Sequence, residues 1–166
     1  MIPVFSGSIE PLSSDHDRGA FSCGVDALDE YLRRFARQHA ASNVSRTYVA
    51  ADKAEIRGFY SLAMSAIRKD NLPAKFSGRF PNFPLPVARL ARLAVAVRYQ
   101  RQGLGDLLLA DALQRCLRLS TEIGMIGVIV EAKDERARGW YERYEFERLP
   151  DLPLTLWLPT AAIERL

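Results

Sequence analysis

The chain has 166 residues, of which 48% are hydrophobic and 26% charged, a balance that suits one globular domain with a substantial core. No apolar run approaches the roughly 20 residues of a membrane span, and Met1–Glu10 is too short and too polar for a secretory signal. Cys23, Cys116, His16 and His39 have neither disulfide-framework nor metal-ligand spacing.

Those features predict a single domain over residues 1–166, reduced and cytoplasmic, with no metal and no membrane contact. The net charge of +3 is unevenly spread: no acidic residue lies between Asp70 and Asp106, a stretch holding Lys75, Arg79, Arg89, Arg92, Arg98 and Arg101. Such a stretch is either a solvated basic face or an attractor of polyanions, meaning phosphorylated cofactors, nucleic acid or both.

Residues 4–12 read as a first strand or an extended lead-in. Gly24-Val25-Asp26 opens a helix with Asp26 as the expected N-cap. Leu28, Leu32, Phe35 and Ala36 then recur at helical spacing through Ala41, the pattern of one apolar face. Residues 44–51 form a strand, Asp52-Lys53 a turn, and residues 56–68 the antiparallel partner, with Phe59, Ser61, Ala63 and Ser65 alternating against Tyr60, Leu62, Met64 and Ala66. A loop containing Pro73, Gly78, Pro81, Pro84 and Pro86 follows. Its prolines are expected to stay outside any sheet, and Phe76, Phe80 and Phe83 to pack it down. Residues 87–97 make an apolar strand. Residues 103–123 make a helix with Leu104, Leu107, Leu108, Leu113 and Leu117 facing a core. A buried strand over 126–132, a helix over 134–144 capped by Asp134, and a strand over 154–158 complete the chain. The order β-α-β-β-β-α-β-α-β is that of a mixed α/β sandwich with helices covering one sheet.

The chemistry concentrates at Gln100-Arg101-Gln102-Gly103-Leu104-Gly105, where a strand ends, a tight turn carries two glycines and a helix begins. The first four amides of a helix lack intrahelical acceptors, and the helix dipole adds positive charge there. Glycine lets a phosphate approach the backbone without a Cβ in the way, so the turn is a candidate anion cradle, with Arg98 and Arg101 able to add side-chain charge. Leu108 stands where the dinucleotide-binding fingerprint needs a third glycine, and the P-loop's Gly-Lys-Ser/Thr is absent. The bland alternative is a helix that simply starts after a glycine turn.

What remains, Gln-x-x-Gly-x-Gly, resembles the cofactor signature of the GNAT acetyltransferases. The likeness extends to both sides: Leu93-Ala94-Val95 matches the strand that hydrogen-bonds the pantetheine arm, and Asp134, Ala137, Trp140, Tyr141 and Phe146 match the late helix with its aromatic-Tyr pair. Two positions depart from the family pattern: Glu145, where Gly is common between two aromatics, and Asp134, where Asn is. The resemblance implies the GNAT fold, a central mixed and mostly antiparallel sheet flanked by helices. It also implies acetyl-CoA as cofactor, held by Leu93, Ala94, Val95, Gln100, Arg101, Gln102, Gly103, Leu104, Gly105 and Asp134, and Tyr141 as the general acid. The alternative for Tyr141 is a core aromatic, and Glu131, a candidate base, could equally be a surface charge or an ion-pair partner.

Phe21-x-Cys23-Gly24-x-x-x-Leu28-Asp29-x-Tyr31-Leu32 and the following Arg34–Ala41 stretch further resemble the opening of the GNAT toxins of type II toxin–antitoxin modules. That likeness implies acetylation of the α-amine of aminoacyl-tRNA, a homodimer, and a ribbon-helix-helix antitoxin as partner. Lys75, Arg79, Arg89 and Arg92 are then candidate contacts to tRNA or cofactor phosphates. A GNAT acting on a small-molecule or protein amine, and a non-catalytic CoA-binding module, remain as alternatives.

Overall fold

The structure, a computed structural model, describes residues 5–166. Seven strands are present among them: β1 (Ser8–Pro11), β2 (Arg46–Asp52), β3 (Glu55–Ile67), β4 (Leu85–Val95), β5 (Gly127–Glu131), β6 (Glu147–Leu149) and β7 (Leu152–Pro159). They form one sheet in the order β1-β2-β3-β4-β5-β7-β6. β4 and β5 pair in parallel; β1–β2, β2–β3, β5–β7 and β6–β7 are antiparallel. The helices are α1 (Asp26–Glu30), α2 (Ala36–Ala41), α3 (Ala74–Ser77), α4 (Leu104–Ser120), α5 (Glu135–Glu142) and α6 (Thr160–Ile163). The packing divides the chain into two compact units, one built from residues up to Ala63 plus Ala91–Ala112, the other from Met64–Leu90 plus Leu113–Leu166.

The first unit packs α1 and α2 on β2, β3 and the end of β4. Alternation along β2 turns Thr47, Val49 and Ala51 inward, and Phe59 on β3 lies opposite Val49. Phe59 is fully buried, met edge-on by Phe21 at 5.4 Å and stacked by Tyr31 at 6.3 Å. Its neighbour Tyr60 points to the other face, where it is also fully buried and donates to Asp111 Oδ2 on α4 at 2.5 Å. Gly58 permits the close approach of α4: a Cβ there would lie 2.8 Å from Leu108 Cδ1 and 3.0 Å from the Ala94 carbonyl oxygen.

In the second unit Ile67, Leu72, Phe76, Leu85, Val87, Ile129, Leu149 and Trp157 form a core. Phe76 of α3 meets Trp157 edge-on at 4.9 Å, and β5 pairs with β7 from Gly127↔Pro159 to Glu131↔Thr155.

Several sequence expectations are revised. Val4, the start of the expected first strand, lies outside the described residues, and the strand begins at Ser8. The first helix is capped by Val25, not Asp26. The Val25 carbonyl accepts from the Leu28 and Asp29 amides, and Asp29 rather than Asp26 takes a backbone amide, that of Cys23, at 2.9 Å. Between α1 and α2 the backbone widens into a π-helical stretch, Tyr31–Phe35, which turns Phe35 out of the apolar face its spacing suggested. Pro86 sits inside β4 despite its missing N–H; it contributes its carbonyl, which accepts from the Ile126 amide at 2.9 Å. Of the loop aromatics Phe76 is buried, but Phe83 is exposed. In α4 the outward position is Leu107 and the buried one Leu109. The strand β6 and the short helix α3 were not anticipated, because three or four residues are too few to set up a period.

Candidate active site

In the first unit β4 ends at Val95 and the chain is pinned at once. The Ala96 amide donates to the Arg57 carbonyl at 2.8 Å and the Val97 amide to the Ser22 carbonyl at 2.9 Å. A single 3-10 turn, Val97–Tyr99, follows. Gln100 does not reach toward solvent with its amide: Nε2 donates to the Cys23 and Val95 carbonyls, both at 2.9 Å. The most sequence-specific residue of the motif is therefore a brace that ties the turn to the strand before it and to the segment leading into α1. Gln102 Nε2 similarly donates to the Arg98 carbonyl at 3.2 Å.

The turn then enters left-handed backbone twice, at Arg101 (φ 62°) and Gly103 (φ 86°). The second is a conformation that glycine adopts without a Cβ penalty. The Gly103 carbonyl accepts from the Leu107 amide at 3.2 Å, so the helix starts here, and the amides of its first turn precede any intrahelical acceptor. Leu104 is buried and anchors that turn, while Arg98, Arg101 and Gln102 are exposed. Arg98 stands 3.7 Å from Glu55 and over the Tyr99 ring at 5.4 Å. Glu55 also accepts from Tyr99 and Arg57, which hold its carboxyl below the usual range, the Tyr99 hydrogen bond most of all. A set of backbone amides at a helix start, flanked by guanidinium groups, is a donor set suited to a diphosphate. Upstream in β4, Ala94 is buried while Leu93 and Val95 are half-buried.

In the second unit Asp134 caps α5, its Oδ1 accepting from the Ala137 amide at 2.8 Å as expected. Tyr141, on the last turn of α5, is buried between Trp140 at 4.9 Å and Phe146 at 5.5 Å, both edge-on. Burial pushes its phenol up to about 12. Glu131 at the end of β5 is exposed and accepts from Arg89 at 2.7 Å. Glu145, the departure from the family pattern, has φ 71°. A left-handed backbone is one that glycine adopts without a Cβ penalty.

The four candidate tRNA contacts, Lys75, Arg79, Arg89 and Arg92, all have partners within the protein. Lys75 pairs with Glu147 at 2.5 Å, Arg79 covers Phe76 at 5.3 Å, Arg89 pairs with Glu131, and the Arg92 guanidinium lies 3.6 Å from the Tyr31 ring centroid. Among the described residues no group of three or more His, Cys, Asp or Glu could hold a metal ion, and no helix is long and apolar enough to cross a membrane. Cys23 and Cys116 are both buried and not joined in a disulfide; burial raises the Cys116 thiol to about 11.

A family model described as an acetyltransferase (GNAT) domain matches residues 43–148. A tRNA-acetylating toxin of Mycobacterium tuberculosis is 36% identical over 147 residues, 89% of this chain and 88% of the relative. Among solved structures, AtaT complexed with acetyl-methionyl-tRNAfMet superposes with a TM-score of 0.88 at 29% identity, over 95% of this chain and 97% of that one. A tyrosine-to-phenylalanine AtaT mutant, bound to the C-terminus of the antitoxin AtaR and to acetyl-CoA, gives 0.81 at 27%, over 95% of this chain and 96% of that one.

Proposed function

The chain belongs to the GNAT acetyltransferase family and moves an acetyl group from acetyl-CoA to an amine; from that premise we propose that the amine is the α-amine of an aminoacyl-tRNA, and that the protein is a toxin that blocks translation by capping it. The observation that carries this reading is the likeness to a tRNA-acetylating toxin over 89% of the chain, reinforced by the likeness to AtaT complexed with acetyl-methionyl-tRNAfMet.

Acetyl-CoA supplies the activated acyl carbon as a thioester. The first-turn amides of α4, with Arg98 and Arg101, hold its diphosphate, and Leu93–Val95 align its pantetheine arm. Asp134 serves α5 chiefly as its N-cap. The amine nitrogen attacks the acyl carbon, the N–C bond forms and the C–S bond breaks. Backbone amides near Leu93–Val95 stabilise the oxyanion that develops on the way. Tyr141 gives its proton to the departing sulfur, and the phenolate recovers one from the nitrogen, which leaves as a neutral amide. A phenol held near 12 stays protonated at every physiological pH. Its proton moves to a thiolate, whose ordinary pKa is about 8.5, only in concert with C–S cleavage.

No dedicated base is required. An α-amino group has a pKa of about 7.7–8.0 against about 10.4 for lysine, so much of it is neutral at cytoplasmic pH. Glu131 is occupied by Arg89 and serves as a structural partner in this reading. The family model spans both compact units, which supports treating the chain as one catalytic domain. We take the toxin to work in the cytoplasm as a homodimer held in check by a ribbon-helix-helix antitoxin, a reading supported by the neighbour bound to its antitoxin's C-terminus.

Mass spectrometry of tRNA-bound amino acids, after incubating charged tRNA with the protein and acetyl-CoA, tests the proposal. An added acetyl group of about 42 Da on the amino acid is the expected result. Transfer to polyamines or lysine peptides with charged tRNA untouched would overturn it.

A further inference from the structure

No acidic residue lies between Glu30 and Asp52, a stretch that carries Arg33, Arg34, Arg37 and Arg46. Arg46 serves structure, donating to the Ala40 carbonyl at 2.5 Å and to Asn43 Oδ1 at 2.6 Å. The other three are exposed along the π stretch and α2. No ion pair of Arg33 or Arg37 occurs among the described residues, and Arg34 has only an exposed pair with Glu30 at 3.2 Å, an interaction weak enough to be exchanged for another anion.

Phe35 stands among them, 41% exposed. A regular helix with apolar residues at Leu28, Leu32, Phe35 and Ala36 would turn Phe35 inward. The π-helical turn is wider, and Phe35, with φ −112° where the chain returns to α geometry, is carried outward while Leu32 and Ala36 stay fully buried. Bulges of this kind are frequent at functional sites. Phe35, its ring 6.1 Å from that of His39, is flanked in sequence by three exposed arginines, with Arg33 and Arg37 four residues apart on one flank of the helix; cations for phosphates and a ring for an unpaired base suit a strand of nucleic acid.

The same unit holds the glycine turn, and the two are tied. The Cys23 carbonyl accepts from Gln100 Nε2, the Ser22 carbonyl from the Val97 amide, and Asp29 of α1 from the Cys23 amide. Arg92 of β4 lies over Tyr31, where the π stretch begins, and Arg37 follows about 9 Å further along the helix at its usual rise.

We propose that Arg33, Arg34, Phe35 and Arg37 form the RNA-contacting face of the protein, the arginines on phosphates of the tRNA acceptor arm and Phe35 stacked on an unpaired base. This assignment rests on the aminoacyl-tRNA reading above and adds these residues to the candidate phosphate contacts Lys75, Arg79, Arg89 and Arg92.

Fluorescence anisotropy of uncharged tRNA across a salt series tests it. Each duplex phosphate contact contributes about 0.9 to the slope of log affinity against log salt. Replacing all three arginines by alanine is therefore expected to flatten that slope by about 2 to 3, while replacing all three by lysine preserves it. Phe35→Ala is expected to weaken binding about tenfold with the slope unchanged. Acetyl-CoA affinity of the triple alanine variant stays within about twofold of the parent, which excludes misfolding as the cause.

A parental slope in the triple alanine variant overturns the assignment. So does loss of binding in the lysine variant equal to that in the alanine variant, or loss of capture of a polyglutamate probe with tRNA binding intact, which would give the face to an acidic polypeptide. The two readings fail separately. Charged tRNA acetylated by the parent with an unchanged variant slope removes this face alone. No transfer to charged tRNA removes the substrate, and the slope still decides whether the face holds RNA.

Discussion

Tyr141 is buried at the end of α5 between the Trp140 and Phe146 rings, a place that suits either a core aromatic or a general acid. If it delivers the proton, Tyr141→Phe is expected to lower kcat by about 10²–10³ with the KM for acetyl-CoA within a few-fold, the signature of a lost general acid rather than a lost binding contact. A core role alone predicts little change in either constant. The pH dependence follows from the raised pKa. The folded protein keeps the proton to about 12 while the unfolded chain releases it near 10, so the native state binds more protons in that window. The contribution of Tyr141 is full below pH 10 and falls by roughly 2 to 3 kcal/mol as pH rises to about 12. Cys116, raised from 9.0 to about 11, starts the same decline earlier. Urea unfolding of the parent and of Tyr141→Phe between about pH 8 and 11.5 reads this directly: the variant keeps the Cys116 part of the loss and lacks the steeper part above pH 10.

At the level of elements, the turn before α4 and the end of α5 show what side chains do once the backbone has been bent. Gln100 donates to two carbonyls from different parts of the chain, so Gln100→Ala should cost about 1 to 2 kcal/mol in thermal or urea unfolding and loosen the turn. Acetyl-CoA affinity should fall with it, although the side chain is directed at protein. At the other site Glu145 carries a positive φ of 71°, which penalises any residue with a Cβ by roughly 1 kcal/mol. Glu145→Gly relieves that strain but adds about 0.5 to 1 kcal/mol of entropy to the unfolded chain, so urea unfolding is expected to show a net stabilisation of only about 0 to 0.5 kcal/mol.

These two elements also mark how far sequence carries. The glycine turn, the Asp134 cap and the major strands were legible because each depends on residues a few positions apart. The bracing by Gln100, the pairing of Lys75 with Glu147 and the stacking of Arg92 on Tyr31 were not, since each joins distant segments. The π stretch escaped for a different reason: the apolar spacing was helical, and nothing in a 3.6-residue period reports one wider turn.

Across the whole molecule, the glycine turn proposed to hold the diphosphate belongs to one compact unit and the buried Tyr141 to the other. Cofactor bound through the turn should therefore stabilise the fold in a way that depends on the diphosphate and not on the acetyl group. At about 100 times its Kd a ligand adds roughly 2.7 kcal/mol, which for a chain of this size raises Tm by about 5 to 10 °C. CoA and acetyl-CoA are both expected to give that shift, whereas an acetylated pantetheine lacking the diphosphate should give less than about 2 °C at the same concentration. Gly103→Val places a β-branched side chain at φ 86°, where it both strains the turn and covers the amides. It should abolish the CoA shift while leaving the environment of Tyr141 intact, as read by the alkaline titration above. An equal shift from the truncated pantetheine, or a normal CoA shift in Gly103→Val, would place the binding energy elsewhere than in the amides of the turn.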